Sequence, residues 1–374
     1  MRQQEAEKKS SKRFKDSDGE SSDIILPGLP NEIALDCLAK VPRLMHQHLL
    51  AVSKVWKTVL SSQILNWNSS SKGLPKDYMY VNLMFSAIGD ERFYAWNLEN
   101  KTCLPLPMCP VNVTCAKFVV SRGRLFSIGG LVNSATSADV SAYDPSLNRW
   151  ECLASLKLPR YEPAVASIGG KIYVMGGCGV DSSDWAEVYD PELGLWTSLS
   201  IPSLEFLNDG FCRDCAVVNG KLFGMCYGGL GFVFDPVLST ITTVSSSDPY
   251  ERSPCNGIQV LFATWKKLTQ KAAVVKGILF AYLEGKIRGY DFEHNRWLAL
   301  QGTGKRLRSG LYKAFLVNVE EKLGVIRKNE NEIVFACLDI HKLPGRLRCN
   351  VICCHSEVSS GRPWSVGSCV SLAE

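Results

Sequence analysis

Histidine is scarce: five in 374 residues, His46, His48, His294, His341 and His355, none with a general-base partner at a recognisable spacing. The chain has no G-x-S-x-G, G-x-x-x-x-G-K-[ST], G-x-G-x-x-G or H-E-x-x-H, which removes the nucleophile elbow, the P-loop, the dinucleotide fingerprint and the zinc-protease helix. Gly302-Thr-Gly-Lys305 resembles part of a phosphate loop, without its first glycine or a strand-to-helix setting. No catalytic activity is expected. No apolar run approaches the roughly 20 residues of a membrane-spanning helix. Charge of one sign is also lacking: the net charge is +5 and charged residues make up 21%. A field that mild announces neither nucleic acid nor membrane as a partner. Lys305–Asn350 is locally basic, with ten Lys and Arg against five Asp and Glu, and reads as a solvated face of the last repeat.

Apolar side chains are almost absent from Met1–Asp23, where six basic and six acidic residues alternate with Ser and Gly. Such a segment buries too little to fold, so residues 1–23 are expected to be a disordered tail. It has no apolar core of a secretory signal, and its Lys8-Lys9 and Lys12-Arg13 pairs read as solvated tail rather than an import signal. The fifteen cysteines, many inside strand-like runs, then read as reduced, buried thiols of a cytoplasmic or nuclear protein. Cys212-Arg-Asp-Cys215 has no second pair, and Cys349, Cys353, Cys354 and His355 would alternate between faces of a strand. No metal or cofactor is expected.

What the chain does have is repetition. Arg160–Trp196 reads as four short strands: Ala164–Ile168, a Gly169-Gly170 turn, Ile172–Met175 closed by Gly176-Gly177, then Ala186–Tyr189, an Asp190-Pro191 turn, and a strand carrying Trp196. Upstream, Gly129-Gly130, Tyr143-Asp144-Pro145 and Trp150 keep the same order, and the two tryptophans are 46 residues apart. Downstream, Asn219–Gly229 with Phe232–Pro236 is a copy without the Trp, and Lys276–Trp297 is a more worn one. Four strands per period of this length point to blades of a propeller.

The Gly-Gly, Tyr-Asp-Pro and Trp set resembles the kelch repeat. That resemblance implies a mostly β, kelch-type β-propeller over residues 77–374. Six blades are counted, the first degenerate (about 76–109) and the last without Gly-Gly or Tyr-Asp-Pro. Five or seven stay open, because Trp364–Leu372 offers a closing strand. The repeated Gly, Tyr and Trp are expected to be architecture.

Ile25–Ser62 has helical periodicity instead, with Ile33, Cys37, Leu38 and Val41 at helical steps and a second stripe from Leu49 to Leu60. Pro30 suits a first helical turn and Pro42 ends a helix at Val41. Leu29-Pro30, Glu32-Ile33, Leu38, Val41-Pro42-Arg43, Leu50, Val52-Ser53-Lys54 and Trp56 resemble the plant-type F-box, expected as a small all-α module over residues 24–63 with a linker over 64–76. The resemblance implies docking on a Skp-type adaptor, and through it on a cullin, by Leu29, Pro30, Ile33, Leu38, Val41, Pro42, Leu50, Val52 and Trp56. Some of these must serve the helical core, and spacing alone does not sort them.

A propeller binds through what does not repeat. The loops after Gly-Gly and those entering the next blade share one face, bringing Arg160, Tyr161, Asp181, Asp184, Trp185, Glu205, Phe206, Arg213 and Asp214 forward as a mixed charged and aromatic contact set. The expected function is the substrate receptor of an SCF ubiquitin ligase, non-catalytic, holding a target protein on these loops. The alternative is a kelch scaffold or sequestering protein acting without the ligase.

Overall fold

The structure is a computed structural model that describes residues 24–41, 49–61, 78–85, 90–97, 102–145, 147–178, 184–199, 212–226, 230–245, 261, 272–283, 286–303, 314–328, 332–358 and 364–371. The expected tail (1–23) and linker (64–76) lie outside them. The chain divides into two compact units, Met1–Pro75 and Lys76–Glu374.

The first unit is helical. α1 (Asn31–Lys40) starts after Pro30, whose carbonyl accepts the Ala34 N–H at 3.0 Å. It stops at Val41, which is extended (φ −71°, ψ 130°) as a residue before proline must be. α2 (Lys54–Ser61) is capped by Ser53, whose hydroxyl accepts the Trp56 N–H at 3.0 Å. The core is Ile25, Ala34 and Leu38, flanked by Leu26, Leu35, Leu49, Val55, Trp56, Val59 and Leu60. Trp56 locks the entry segment by donating its indole N–H to the Ile25 carbonyl at 2.6 Å. One expectation is corrected: Ile33 and Cys37 are exposed. Positions 34 and 38 face the core, and residues one step before them are rotated by about a quarter turn of helix.

Among the described residues the second unit is a ring of six four-stranded blades, the first four separate antiparallel sheets and the last two joined in one eight-stranded sheet. In chain order these are β1 (Tyr78–Phe85), β2 (Asp90–Asn97) and β3 (Thr102–Pro105); then β4 (Lys117–Ser121), β5 (Arg124–Ile128), a small hairpin β6 (Leu131–Val132) and β7 (Ala135–Thr136), β8 (Val140–Asp144) and β9 (Arg149–Cys152). The third sheet is β10 (Ala164–Ile168), β11 (Lys171–Met175), β12 (Ala186–Asp190) and β13 (Leu195–Ser198). The fourth is β14 (Cys212–Val218), β15 (Lys221–Cys226), β16 (Leu230–Asp235) and β17 (Thr240–Ser245). The fifth is β18 (Ala273–Val275), β19 (Ile278–Leu283), β20 (Lys286–Asp291) and β21 (Arg296–Gln301), and the sixth is β22 (Ala314–Val319), β23 (Lys322–Lys328), β24 (Glu332–Leu343) and β25 (Arg346–Val358). The last strand, β26 (Trp364–Ser371), pairs with β1 and completes the first sheet. Early and late segments of the unit thus share one blade, and the inner strands β4, β10, β14, β18, β22 and β26 touch in a closed ring. The blade count is six, with Trp364–Ser371 as the closing strand.

The repeated residues explain this geometry. The first and second strands of a blade meet at a two-residue turn with both φ positive: Arg122-Gly123, Gly169-Gly170, Asn219-Gly220, Lys276-Gly277 and Glu320-Glu321. Such turns match the right-handed twist of the strands. The Asp of Tyr-Asp-Pro folds the third turn by accepting backbone N–H groups. Asp190 takes that of Glu192 at 2.9 Å and Asp235 that of Val237 at 3.0 Å. Tyr and Trp face each other across strands, as Tyr143–Trp150, Tyr189–Trp196 and Tyr290–Trp297, with ring centroids 5.4, 5.1 and 5.2 Å apart. The indole then reaches the preceding blade: Trp150 donates to the Pro107 carbonyl and Trp196 to that of Ala154, each at 2.9 Å. In the fourth blade Ile241 stands opposite Phe234 where the tryptophan would be.

Candidate functional site

In the helical unit, the nine residues ascribed to adaptor docking separate by exposure. Leu29 (42%), Ile33 (50%) and Val52 (58%) are exposed apolar side chains, with Pro30 exposed beside them. Leu38 (2%) is core. Val41, Leu50 and Trp56 are half-buried, and Pro42 lies outside the described residues. These apolar side chains stay in water although the unit's own core is only a few residues deep.

On the propeller, the expected contact set is sorted more severely. Arg160 is fully buried. Its guanidinium meets Glu187, also without exposure, at 2.8 Å, and donates to the carbonyls of Gly176 at 2.7 Å, Trp185 at 2.8 Å and Asp184 at 2.5 Å, with the Cys178 thiol 3.1 Å away. Arg160 is therefore a clamp holding the base of the Cys178–Trp185 loop, not a contact residue. Trp185 is corrected in the same way: it is buried, its ring packed edge-on to Phe232 at 5.6 Å between the third and fourth blades. Arg213 and Asp214 belong to strand β14 rather than a loop. Asp181, Glu205 and Phe206 lie outside the described residues.

Tyr161 and Asp184 stay half-exposed. Tyr161 is held by the Gly177 carbonyl, which accepts its N–H at 2.9 Å, and a Cβ on Gly177 would come within 2.5 Å of the Tyr161 carbonyl oxygen. The second glycine of the pair therefore admits the segment that enters its own blade. The Glu162 carboxylate, then burial, then the Cys115 thiol raise the Tyr161 phenol above its ordinary value. Cys115 and Glu162 occupy matching positions in successive blades, both with positive φ (58° and 47°).

One group of metal-ligand type occurs among the described residues, Asp291, Glu293 and His294. Its centre is taken by the Lys342 ammonium, 3.0 Å from Asp291 and 2.9 Å from Glu293. Burial alone would raise the Asp291 carboxyl, but hydrogen bonds from Lys342 and His294 outweigh it and hold that group below its ordinary range. This is an ion-paired strap between two blades. In β25, Cys353, Cys354 and His355 pair with Cys337, Ala336 and Phe335, and adjacent positions of a strand lie on opposite faces. Burial pushes the Cys349 thiol up to about 11, which keeps it protonated and a poor ligand.

Six blades, of which the second and third carry Gly-Gly, Tyr-Asp-Pro and a cross-strand Tyr–Trp pair in full, define a kelch-type propeller. The family model described as FKB95, Kelch-repeats domain, matches residues 90–355, and the chain belongs to the plant F-box/kelch-repeat family. It is similar to the Arabidopsis thaliana F-box/kelch-repeat protein At1g67480, 38% identical over 210 residues that cover 54% of this chain and 55% of that protein. A putative F-box/kelch-repeat protein of the same plant, At3g27910, is 34% identical over 220 residues, covering 56% and 57%. F-box/kelch-repeat protein At4g39580 is 27% identical over 312 residues, covering 80% and 78%. For the first two, the chain spans little more than half of the relative's length.

Proposed function

We propose that this protein is a substrate-recognition subunit of an SCF-type ubiquitin ligase. In this reading the helical unit docks a Skp-type adaptor and through it a cullin, while the propeller holds a target protein for ubiquitination by a separate enzyme. The contribution is proximity rather than chemistry, by raising the effective concentration of target lysines. The observation that carries it is the exposed set Leu29, Pro30, Ile33 and Val52 over a minimal helical core. The relatives' names, which pair F-box with kelch repeat, support it. The subunit works in the cytoplasm or nucleus, without a cofactor, and neither nucleic acid nor membrane is a partner.

The test is co-purification. The intact chain should bring down a Skp-type adaptor and cullin, and Leu29→Ala with Pro30→Ala should lose both while the propeller stays folded. If the intact chain captures neither, or the double variant captures both unchanged, the ligase reading is lost and a scaffold acting through the propeller alone takes its place.

A further inference from the structure

The sixth blade departs from the repeat. Its outer strands β24 and β25 run 12 and 13 residues, and the far end of their hairpin reaches across to the fifth blade. There β25 pairs with β21 in parallel, Leu300 opposite Leu347 and Gln301 opposite Arg348, which joins the two blades in one eight-stranded sheet. Gly302 permits the contact: its φ is +97°, and a Cβ there would come within 2.3 Å of the Cys349 carbonyl oxygen. The inner side of this join is the buried layer of Leu300, Ile340, Leu347 and Cys349.

The outer side is rich in hydrogen-bond donors. Gln301, Arg348 and His341 stand in one row across three strands, with Arg346 and Leu343 in the row before and Asn350 and Asp339 in the row after. Gln301, Arg346, Arg348, Asn350 and His341 are exposed, and Arg296 lies beside the hairpin turn, also exposed. The neighbouring carboxylates are already engaged. Asp339 is taken by Lys276 at 3.0 Å and lies 3.4 Å from His341, and Asp291 and Glu293 are taken by Lys342. Arg296, Arg346 and Arg348 form no ion pair among the described residues.

We infer that this face binds an extended, acidic segment of a partner protein, with anionic side chains at alternate positions. Arg346 and Arg348 sit on the same side of one strand, roughly 7 Å apart, and an extended peptide repeats its side chains at the same interval. Guanidinium forks recognise carboxylate and phosphate oxygens in pairs, which a lysine does not do. The surface favours a peptide over a nucleic acid. Its described residues include no exposed Phe, Tyr or Trp on which a base would stack, and its cationic stretch is short. The inference goes beyond the ligase reading, since the propeller alone carries it and adaptor docking plays no part.

The test uses the full chain and a labelled peptide of alternating Glu and Ala, followed by fluorescence polarisation at low salt. Three further peptides accompany it: Gln for Glu, the same composition ordered Glu-Glu-Ala-Ala, and phosphoserine for Glu. The alternating Glu peptide should bind, the Gln peptide should not, and the reordered one should bind more weakly because only its charge is right. Arg346→Gln with Arg348→Gln, both exposed, should leave thermal unfolding unchanged and weaken binding by about tenfold, the loss expected for two charge-assisted contacts. Tighter binding of the phosphoserine peptide would identify phosphate as the anion, and tighter binding of the Glu peptide would identify carboxylate. The proposal is overturned if the two Glu orders bind equally, if the double variant binds as the wild type does, or if oligothymidylate displaces the peptide.

Discussion

The guanidinium of Arg160 and the carboxylate of Glu187 meet at 2.8 Å with neither side chain exposed to water. The pair bridges the segment entering the third blade and that blade's third strand, and its spare donors hold three loop carbonyls. Removing one partner strands the other charge in a dry interior. Arg160→Met is expected to cost about 3–5 kcal/mol, read as a fall in urea midpoint at unchanged slope. Glu187→Gln should cost less, because the amide still accepts from the guanidinium. Equal and negligible losses for both would show the pair to be solvated.

This pair also marks the limit of what the sequence displays. Gly-Gly, Tyr-Asp-Pro and Trp recur because each answers a backbone demand that every blade makes, so the repeat is readable from spacing. Arg160 has the composition of a contact residue, and only its partner 27 positions away, brought near by pairing of β11 with β12, reveals it as buried. The sixth blade hid its first turn for a related reason. Glu320-Glu321 does the work of Asn-Gly, and nothing in its chemistry announces a double positive φ. In the helical unit, periodicity found the helices, but the choice between Ile33 and Ala34 as the buried position needed the direction of the core.

The Glu320-Glu321 turn is accordingly strained, with φ of 49° and 57° in two residues that disfavour that region. Glu321→Gly should stabilise the propeller by about 0.5–1 kcal/mol, since the turn type favours glycine there. Thermal unfolding against the wild type checks it. A lower melting temperature would mean that the Glu321 side chain makes a contact worth more than the strain.

Trp196 joins two blades through one hydrogen bond from its indole to the Ala154 carbonyl. Trp196→Phe keeps the aromatic contact with Tyr189 and leaves that carbonyl unsatisfied, at an expected cost of about 1–2 kcal/mol. Trp196→Ala removes the ring as well and should cost about 3–5 kcal/mol. The difference between the two variants separates the hydrogen bond from the packing, and equal losses would deny the bond any share.

Lys342 gives the propeller a pH-dependent contact. Asp291, Glu293 and Lys342 are shifted towards their charged forms, the carboxyls down and the ammonium up. A depressed carboxyl contributes stability above its unfolded value, and that contribution is lost as pH falls through the folded one. A raised lysine contributes below its unfolded value and loses that on the alkaline side. Lys342→Met should therefore be less stable than the wild type between about pH 4 and pH 10, with the gap closing in stronger acid. Urea midpoints across that range decide it, and a gap independent of pH would assign the loss to packing of the lysine stem.

The helical unit allows fold and docking to be separated with two substitutions on the same helix. Leu38 is core and touches the Ile25–Ala34 cluster, so Leu38→Ala opens a cavity in a unit that has little else to hold it. Its loss of about 2–5 kcal/mol should unfold the helices and abolish adaptor capture indirectly. Ile33 is half exposed on the same helix and outside that cluster. Ile33→Asp adds a charge to an apolar face already in water, so helix content by circular dichroism should be unchanged while adaptor capture disappears. The contrast carries the conclusion. If Ile33→Asp unfolds the unit, the residue belongs to the core; if it folds and still captures the adaptor, the exposed side chain of Ile33 takes no part in docking.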